Sequence, residues 1–186
     1  MQSSSNVKLL LDDLGATLEL GRDLADALVG GSVIALSGNL GAGKTTLVQA
    51  IGKALGIKEV ISSPTFTMMN EYHSGRLSLY HFDFYRVMEM AERQEDDLSL
   101  DLVATEFDEI SESNRAVLIL EWPEYFLVDG NNYLESIDHL YMSLILNEGP
   151  DSRDDQRVLI LKSAGRQSST LLEKLTAGRA KISDHK

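Results

Sequence analysis

With 186 residues, 43% of them hydrophobic, the chain is long enough for one domain with a three-layer core. A formal net charge of −12 makes it a poor candidate for gripping a nucleic-acid backbone alone. No cysteine is present, which excludes disulfides and thiolate metal sites and fits a reducing cytoplasm, and the apolar runs are strand-sized, so no membrane span is expected.

Residues 1–6 read as a frayed tail without the basic and apolar pattern of a signal peptide. Asp12 or Asp13 can cap a helix carrying Leu14, Leu18, Gly21, Ala25 and Leu28 on one face, closed by Gly30-Gly31. Val33-Ile34-Ala35-Leu36 is a short apolar run and reads as a buried strand. It leads into Gly38-Asn39-Leu40-Gly41-Ala42-Gly43-Lys44-Thr45, which is G-x-x-x-x-G-K-[ST], the phosphate-loop signature. Thr46 to Leu55 then has helical spacing, with Gly56 as C-cap. The motif therefore sits between a strand and a helix, where its chemistry requires it.

That chemistry is specific. Glycines let successive backbone N–H groups face a phosphate, and the helix N-terminus that follows adds free N–H groups and a positive dipole end. Lys44 would reach the β- and γ-phosphates, and the Thr45 hydroxyl would ligate Mg²⁺. An ordinary glycine-rich turn is the weaker reading, because all the pattern positions and both flanks agree.

Val60-Ile61 is a short apolar run, followed by Ser62-Ser63-Pro64-Thr65-Phe66-Thr67. This loop reads either as a plain proline turn or as a switch whose hydroxyl follows a γ-phosphate. Thr67 to Tyr72 and Leu77 to Asp83 flank His73-Ser74-Gly75-Arg76 and read as a β-hairpin turning at Ser74-Gly75. Asp83 lies among aromatics at a strand end. It either positions water or a metal contact, or it caps the next turn or pairs with Arg86. His81 reads as a packed strand histidine, with no second histidine at metal spacing.

A connector spanning about residues 87–114 is strongly acidic: from Glu89 to Glu112 there are ten acids and one base, Arg93. Its second half, Leu98 to Ile110, is expected to be helical, with Leu98, Leu102 and Ile110 on one face. Ala116 to Leu120 is the second buried strand and ends on Glu121-Trp122-Pro123. A phosphate loop needs a second acid near Mg²⁺ at the end of a neighbouring strand, and Glu121 is the natural occupant. Trp122, the only tryptophan, either packs near the nucleotide or covers the sheet edge. His139 to Leu146 and Arg157 to Lys162 read as a strand pair joined through Gly149-Pro150-Asp151. Ser168 to Glu173 opens a C-terminal helix with a capping-box-like start. One domain is expected over residues 1–186.

Four ordered motifs carry a closer resemblance: Gly38 to Thr46, Ser63 to Thr67, Tyr80-His81-Phe82-Asp83-Phe84-Tyr85-Arg86, and Glu121-Trp122-Pro123-Glu124. Together they resemble the TsaE (YjeE) family, bacterial P-loop ATPases of the threonylcarbamoyladenosine (t6A) modification of tRNA. The resemblance implies an α/β, three-layer P-loop NTPase fold, a mixed sheet with central parallel strands and added antiparallel ones. It implies ATP on Lys44 and the amides of Gly41, Ala42, Gly43, Thr45 and Thr46, with Mg²⁺ held by Thr45 and Glu121. Ser63, Pro64, Thr65, Phe66 and Thr67 would form a switch-like loop, Asp83 would be needed for turnover, and Trp122 would lie at the site. Asp13, Thr17 and a base such as Arg153 or Arg157 would approach the adenine. The implied partners are TsaD and TsaB, with ATP hydrolysis resetting their complex in the cytoplasm. Asn39 departs from the family's usual Asp, and the acidic connector is longer than the family's. A small-molecule kinase and a non-hydrolysing nucleotide switch are the alternatives.

Overall fold

The buried runs read from the sequence lie in the middle of one seven-stranded sheet in the computed structural model, which describes residues 6–93, 100–147, 155–177 and 179. In chain order the elements begin β1 (Val7–Leu11), α1 (Leu14–Ala27), β2 (Val33–Ser37), α2 (Lys44–Ala54), β3 (Met69–Tyr72) and β4 (Ser78–Asp83). They continue with α3 (Tyr85–Glu92), α4 (Asp101–Glu112), β5 (Ala116–Glu121), the short pair β6 (Leu127–Val128) and β7 (Asn131–Asn132), β8 (Leu140–Leu146), β9 (Arg157–Ser163) and α5 (Arg166–Thr176).

The sheet order is β1-β9-β8-β2-β5-β4-β3. β8, β2, β5 and β4 run parallel, while β3 on one side and β9 and β1 on the other are antiparallel additions. This is the expected mixed α/β architecture. The two central strands are buried on both faces, which is why they read as unbroken apolar runs rather than alternating ones. Ile34, Leu36, Val117 and Ile119 face one helical layer, where they pack with Leu20 and Leu24 of α1, Leu47 and Ile51 of α2 and Leu171 of α5. Val33, Ala35, Leu118 and Leu120 face the other layer, with Val87, Ala104 and Phe107 of α3 and α4. Phe82, Phe84, Phe107 and Phe126 stack in that second layer, with Phe84 and Phe126 ring centroids 4.7 Å apart. These aromatics brace the ends of β4 and β5 from behind.

Several elements differ from the reading of the sequence. β1 was not marked: Val7, Leu9 and Leu11 turn inward while Leu10 is exposed, a period of two hidden by three consecutive leucines. α3 was also unmarked, and forms where the Asp83 carboxylate accepts the Tyr85 N–H at 2.9 Å and starts a helix. The expected face of α4 holds at Ile110, which packs against the second layer, but not at Leu102, which is 84% exposed; the helix buries Ala104 and Phe107. Leu98 lies outside the described residues, as does the loop through Gly149-Pro150-Asp151. α5 starts two residues before Ser168, whose hydroxyl accepts the Gly165 N–H at 3.0 Å. The Asp138 carboxylate accepts the Gln167 and Ser168 N–H groups and so caps the same helix from outside. Among the described residues no helix is long and apolar enough to cross a membrane.

Candidate functional site

Three parallel strands deliver their carboxyl ends to one place. β2 ends in the phosphate loop, β4 ends on Asp83, and β5 ends on Glu121, with Asp83 and Glu121 in register across the β4–β5 pair. This is the crevice where open α/β sheets bind ligands. It holds a cavity of ≈ 440 Å³ whose lining includes Gly41, Gly43, Lys44, Thr45, Thr46, Ser63, Thr65, Asp83, Glu121 and Trp122.

The loop geometry follows from its glycines. Gly38 sits at φ +132°, and a Cβ placed there would lie 2.2 Å from the Leu144 carbonyl oxygen of β8, so only glycine fits. Gly43 takes φ +103° as the N-cap of α2. A Cβ at Gly41 or Gly43 would meet nothing within 4 Å, so at these two positions it is the left-handed backbone rather than crowding that calls for glycine. The Ala42 methyl, by contrast, is buried in the core, and its N–H is bonded to the Asn39 carbonyl at 3.1 Å.

Lys44 is 5% exposed, and its Nζ donates to the Gly38 and Asn39 carbonyls at 2.7 and 3.2 Å. The same ammonium lies 4.0 Å from the centroid of the Trp122 ring. Burial pushes the Lys44 pKa below its ordinary 10.5, and the carboxylates of Glu121, Asp83 and Glu124 pull it partly back. A buried cation satisfied mainly by carbonyl dipoles is well placed to accept an anion, because a phosphate would offset its lost hydration.

The acids at the mouth are buried and directed. Glu121 is 3% exposed, and its Oε1 accepts the Thr45 hydroxyl at 2.8 Å and faces His81 Nε2 at 2.9 Å. A hydroxyl and a carboxylate converging beside a phosphate loop are hard oxygen donors of the kind Mg²⁺ takes, so the residues present fit that ion. Asp83 serves two elements at once. Its Oδ1 caps α3, and its Oδ2 accepts the hydroxyls of Ser63 at 2.5 Å and Thr65 at 2.8 Å. Of the readings of Asp83 from the sequence, capping the next turn is what the carboxylate does; its other oxygen holds the Ser63 and Thr65 hydroxyls, and Arg86 reaches instead over the Phe66 ring.

Trp122 adopts φ 58°, ψ 48°, a left-handed backbone that is uncommon for a bulky residue and that turns its ring onto Lys44 and Tyr85. Pro64 and Thr67 stay within the loop, where the Pro64 carbonyl accepts the Met68 N–H, while Phe66 is 85% exposed. Asp13 is the N-cap of α1, accepting the Ala16 N–H at 2.8 Å, and the Thr17 hydroxyl bonds back to the Asp13 carbonyl; neither side chain lines the cavity. Arg157 Nε donates to the Ala42 carbonyl at 3.1 Å and thus braces the loop from β9. Arg153 lies outside the described residues. Three residues at the site had no role assigned from the sequence: Leu40 and Tyr85, which line the cavity, and His81, whose contact with Glu121 links positions on adjacent strands.

A family model described as "Threonylcarbamoyl adenosine biosynthesis protein TsaE" matches residues 11–153. The chain is 45% identical over 127 residues to the tRNA threonylcarbamoyladenosine biosynthesis protein TsaE of a Nostoc species, a match covering 68% of this chain and 74% of that protein. It is 32% identical over 146 residues to the protein of the same name from Bacillus subtilis, covering 78% of each. Among solved structures, Bacillus subtilis YdiB is similar in fold, with a TM-score of 0.70 at 24% identity over 95% of this chain and 98% of that one.

Proposed function

The chain belongs to the TsaE family of threonylcarbamoyl adenosine biosynthesis proteins, and from that premise we propose that it is a cytoplasmic, Mg²⁺-dependent ATPase whose turnover serves t6A modification of tRNA by acting on a TsaB–TsaD complex. The observation that carries the reading is the convergence of Lys44, the Thr45–Glu121 pair and Asp83 on one cavity at the carboxyl ends of three parallel strands.

Each residue has a task in this reading. The N–H groups of the loop and the first turn of α2 bind phosphate oxygens, and Lys44 leaves its own loop carbonyls for the β- and γ-phosphates. Thr45 and Glu121 hold Mg²⁺, which when bound neutralises charge on the phosphoryl oxygens. Asp83 ties the Ser63–Thr67 loop to the floor of the site and places a carboxylate beside the reacting end. Trp122 walls the cavity and limits water around Lys44. The chain's overall acidity supports action on a protein complex rather than a direct clasp on tRNA.

The test is phosphate release from ATP by the purified protein, alone and with its cognate TsaB–TsaD pair. The expected outcome is weak activity alone that rises with the partners and falls in Glu121→Gln. Equal activity with and without partners removes the proposed role, and transfer of phosphate to a hydroxyl acceptor in place of free phosphate release favours a kinase.

A further inference from the structure

Among the described residues, His81 Nδ1 is the buried side-chain nitrogen with no hydrogen-bond partner. His81 is fully buried, in β4, two residues before Asp83 and on the same face of the sheet, where it pairs in register with Ile119 of β5. A histidine kept here only to fill space would leave Nδ1 as a standing cost that leucine or phenylalanine would not incur. The other ring nitrogen is engaged, at 2.9 Å from Glu121 Oε1.

We propose that His81 is a positioning residue for Glu121, holding its carboxylate from inside the sheet so that it meets a divalent cation together with Thr45. The inference rests on the reading of Thr45 and Glu121 as the Mg²⁺ ligands. A bond to a carboxylate oxygen requires a proton on Nε2, so the ring donates to Glu121. Glu121 Oε1 then receives two donors from two elements, the Thr45 hydroxyl from α2 and the imidazole from β4. The two are not equivalent. Thr45 lies on the cavity and its oxygen is required by the cation, whereas His81 is sealed within the sheet. The imidazole bond is therefore the one that persists when Thr45 turns to the metal. Outer hydrogen bonds of this kind fix ligand orientation in many metal sites.

The experiment uses two substitutions in the full chain. In His81→Gln the side-chain amide reaches about as far as Nε2, whereas in His81→Asn it stops near Nδ1 and falls short of Glu121. A non-hydrolysable ATP analogue is held at fixed concentration and MgCl₂ is titrated, read by the fluorescence of Trp122, which lies against Lys44. His81→Asn is expected to raise the Mg²⁺ midpoint about 10- to 100-fold, with His81→Gln near wild type. Binding of the analogue in EDTA is expected to be the same in all three proteins. Unchanged midpoints in both variants, or equal losses in both, would show that the ring acts by volume alone and overturn the inference. Glu121→Gln is titrated alongside. If it shifts the midpoint and His81→Asn does not, the His81 role fails while the metal assignment stands. If Glu121→Gln leaves the midpoint unmoved, the metal assignment fails and the inference with it.

Discussion

The phosphate loop and the Ser62–Thr67 segment face the same cavity, but the first is fixed by backbone and core and the second by side-chain hydroxyls. Gly38 is pressed against the Leu144 carbonyl, the Ala42 methyl is buried, and Arg157 grips the Ala42 carbonyl from β9. The second segment belongs to no helix or strand and exposes Phe66. Ser63 and Thr65 hold it to a single oxygen of Asp83, and Thr67 bonds Asn70 at 3.1 Å. A cradle that must present several N–H groups at once benefits from a rigid frame. Because Ser63 and Thr65 share one carboxylate oxygen, both of those ties are lost together when that carboxylate changes partners.

The comparison breaks most sharply at Lys44. Lys44→Ala is expected to lower turnover by about 10²- to 10³-fold with the fold intact, as loss of one preorganised donor at developing charge does. Phosphate-release kinetics check this, and retained turnover would show that the loop is not a phosphate cradle. Next comes Gly38→Ala, where a left-handed φ and the contact with β8 together are expected to cost about 3 kcal/mol. For a chain of this size that corresponds to a fall in melting temperature of about 6–12 °C. A near-wild-type melt would mean that the loop is looser than its packing suggests.

The double substitution Ser63→Ala with Thr65→Ala removes both hydroxyl ties to Asp83. It is expected to cost about 1–3 kcal/mol and to raise proteolytic cutting within residues 62–67, while leaving nucleotide affinity near wild type. A large loss of affinity would erase the distinction between the two walls. Phe66→Ala is the smallest change, within about 0.5 kcal/mol of wild-type stability because the ring is already in solvent. A chemical-denaturation curve checks it, and a larger loss would show that the Arg86–Phe66 contact holds the loop.

What could be read from the sequence depended on how local the cause was. The phosphate loop was legible because its glycines, lysine and threonine act within eight consecutive residues, between a strand and a helix. β5 and Glu121 were legible because a strand buried on both faces leaves an unbroken apolar run with an acid at its end. The start of α1 was legible to within Asp12 or Asp13 for a similarly local reason, and Asp13 is the side chain that reaches its own helix. His81 was not legible as a site residue, since its partner is forty positions away on the neighbouring strand and only the β4–β5 register brings them together. The face of α4 was mistaken at Leu102 though not at Ile110, because the space beneath the helix is filled by Ala104 and Phe107 against the phenylalanine stack. The second task of Asp83 was not legible: its cap acts two residues away, whereas the Ser63 and Thr65 hydroxyls it holds lie twenty and eighteen positions back along the chain.

The central claim is that Lys44, Thr45 and Glu121 form one nucleotide and metal site. A crystal structure of the protein with a non-hydrolysable ATP analogue and Mg²⁺ tests it most directly. The expected result is the β-phosphate cradled in the phosphate loop, Lys44 turned from the Gly38 carbonyl onto the β- and γ-phosphates, and the ion beside Thr45 and Glu121. A nucleotide bound elsewhere, or an ion in the loop with Glu121 turned away from it, would contradict the assignment.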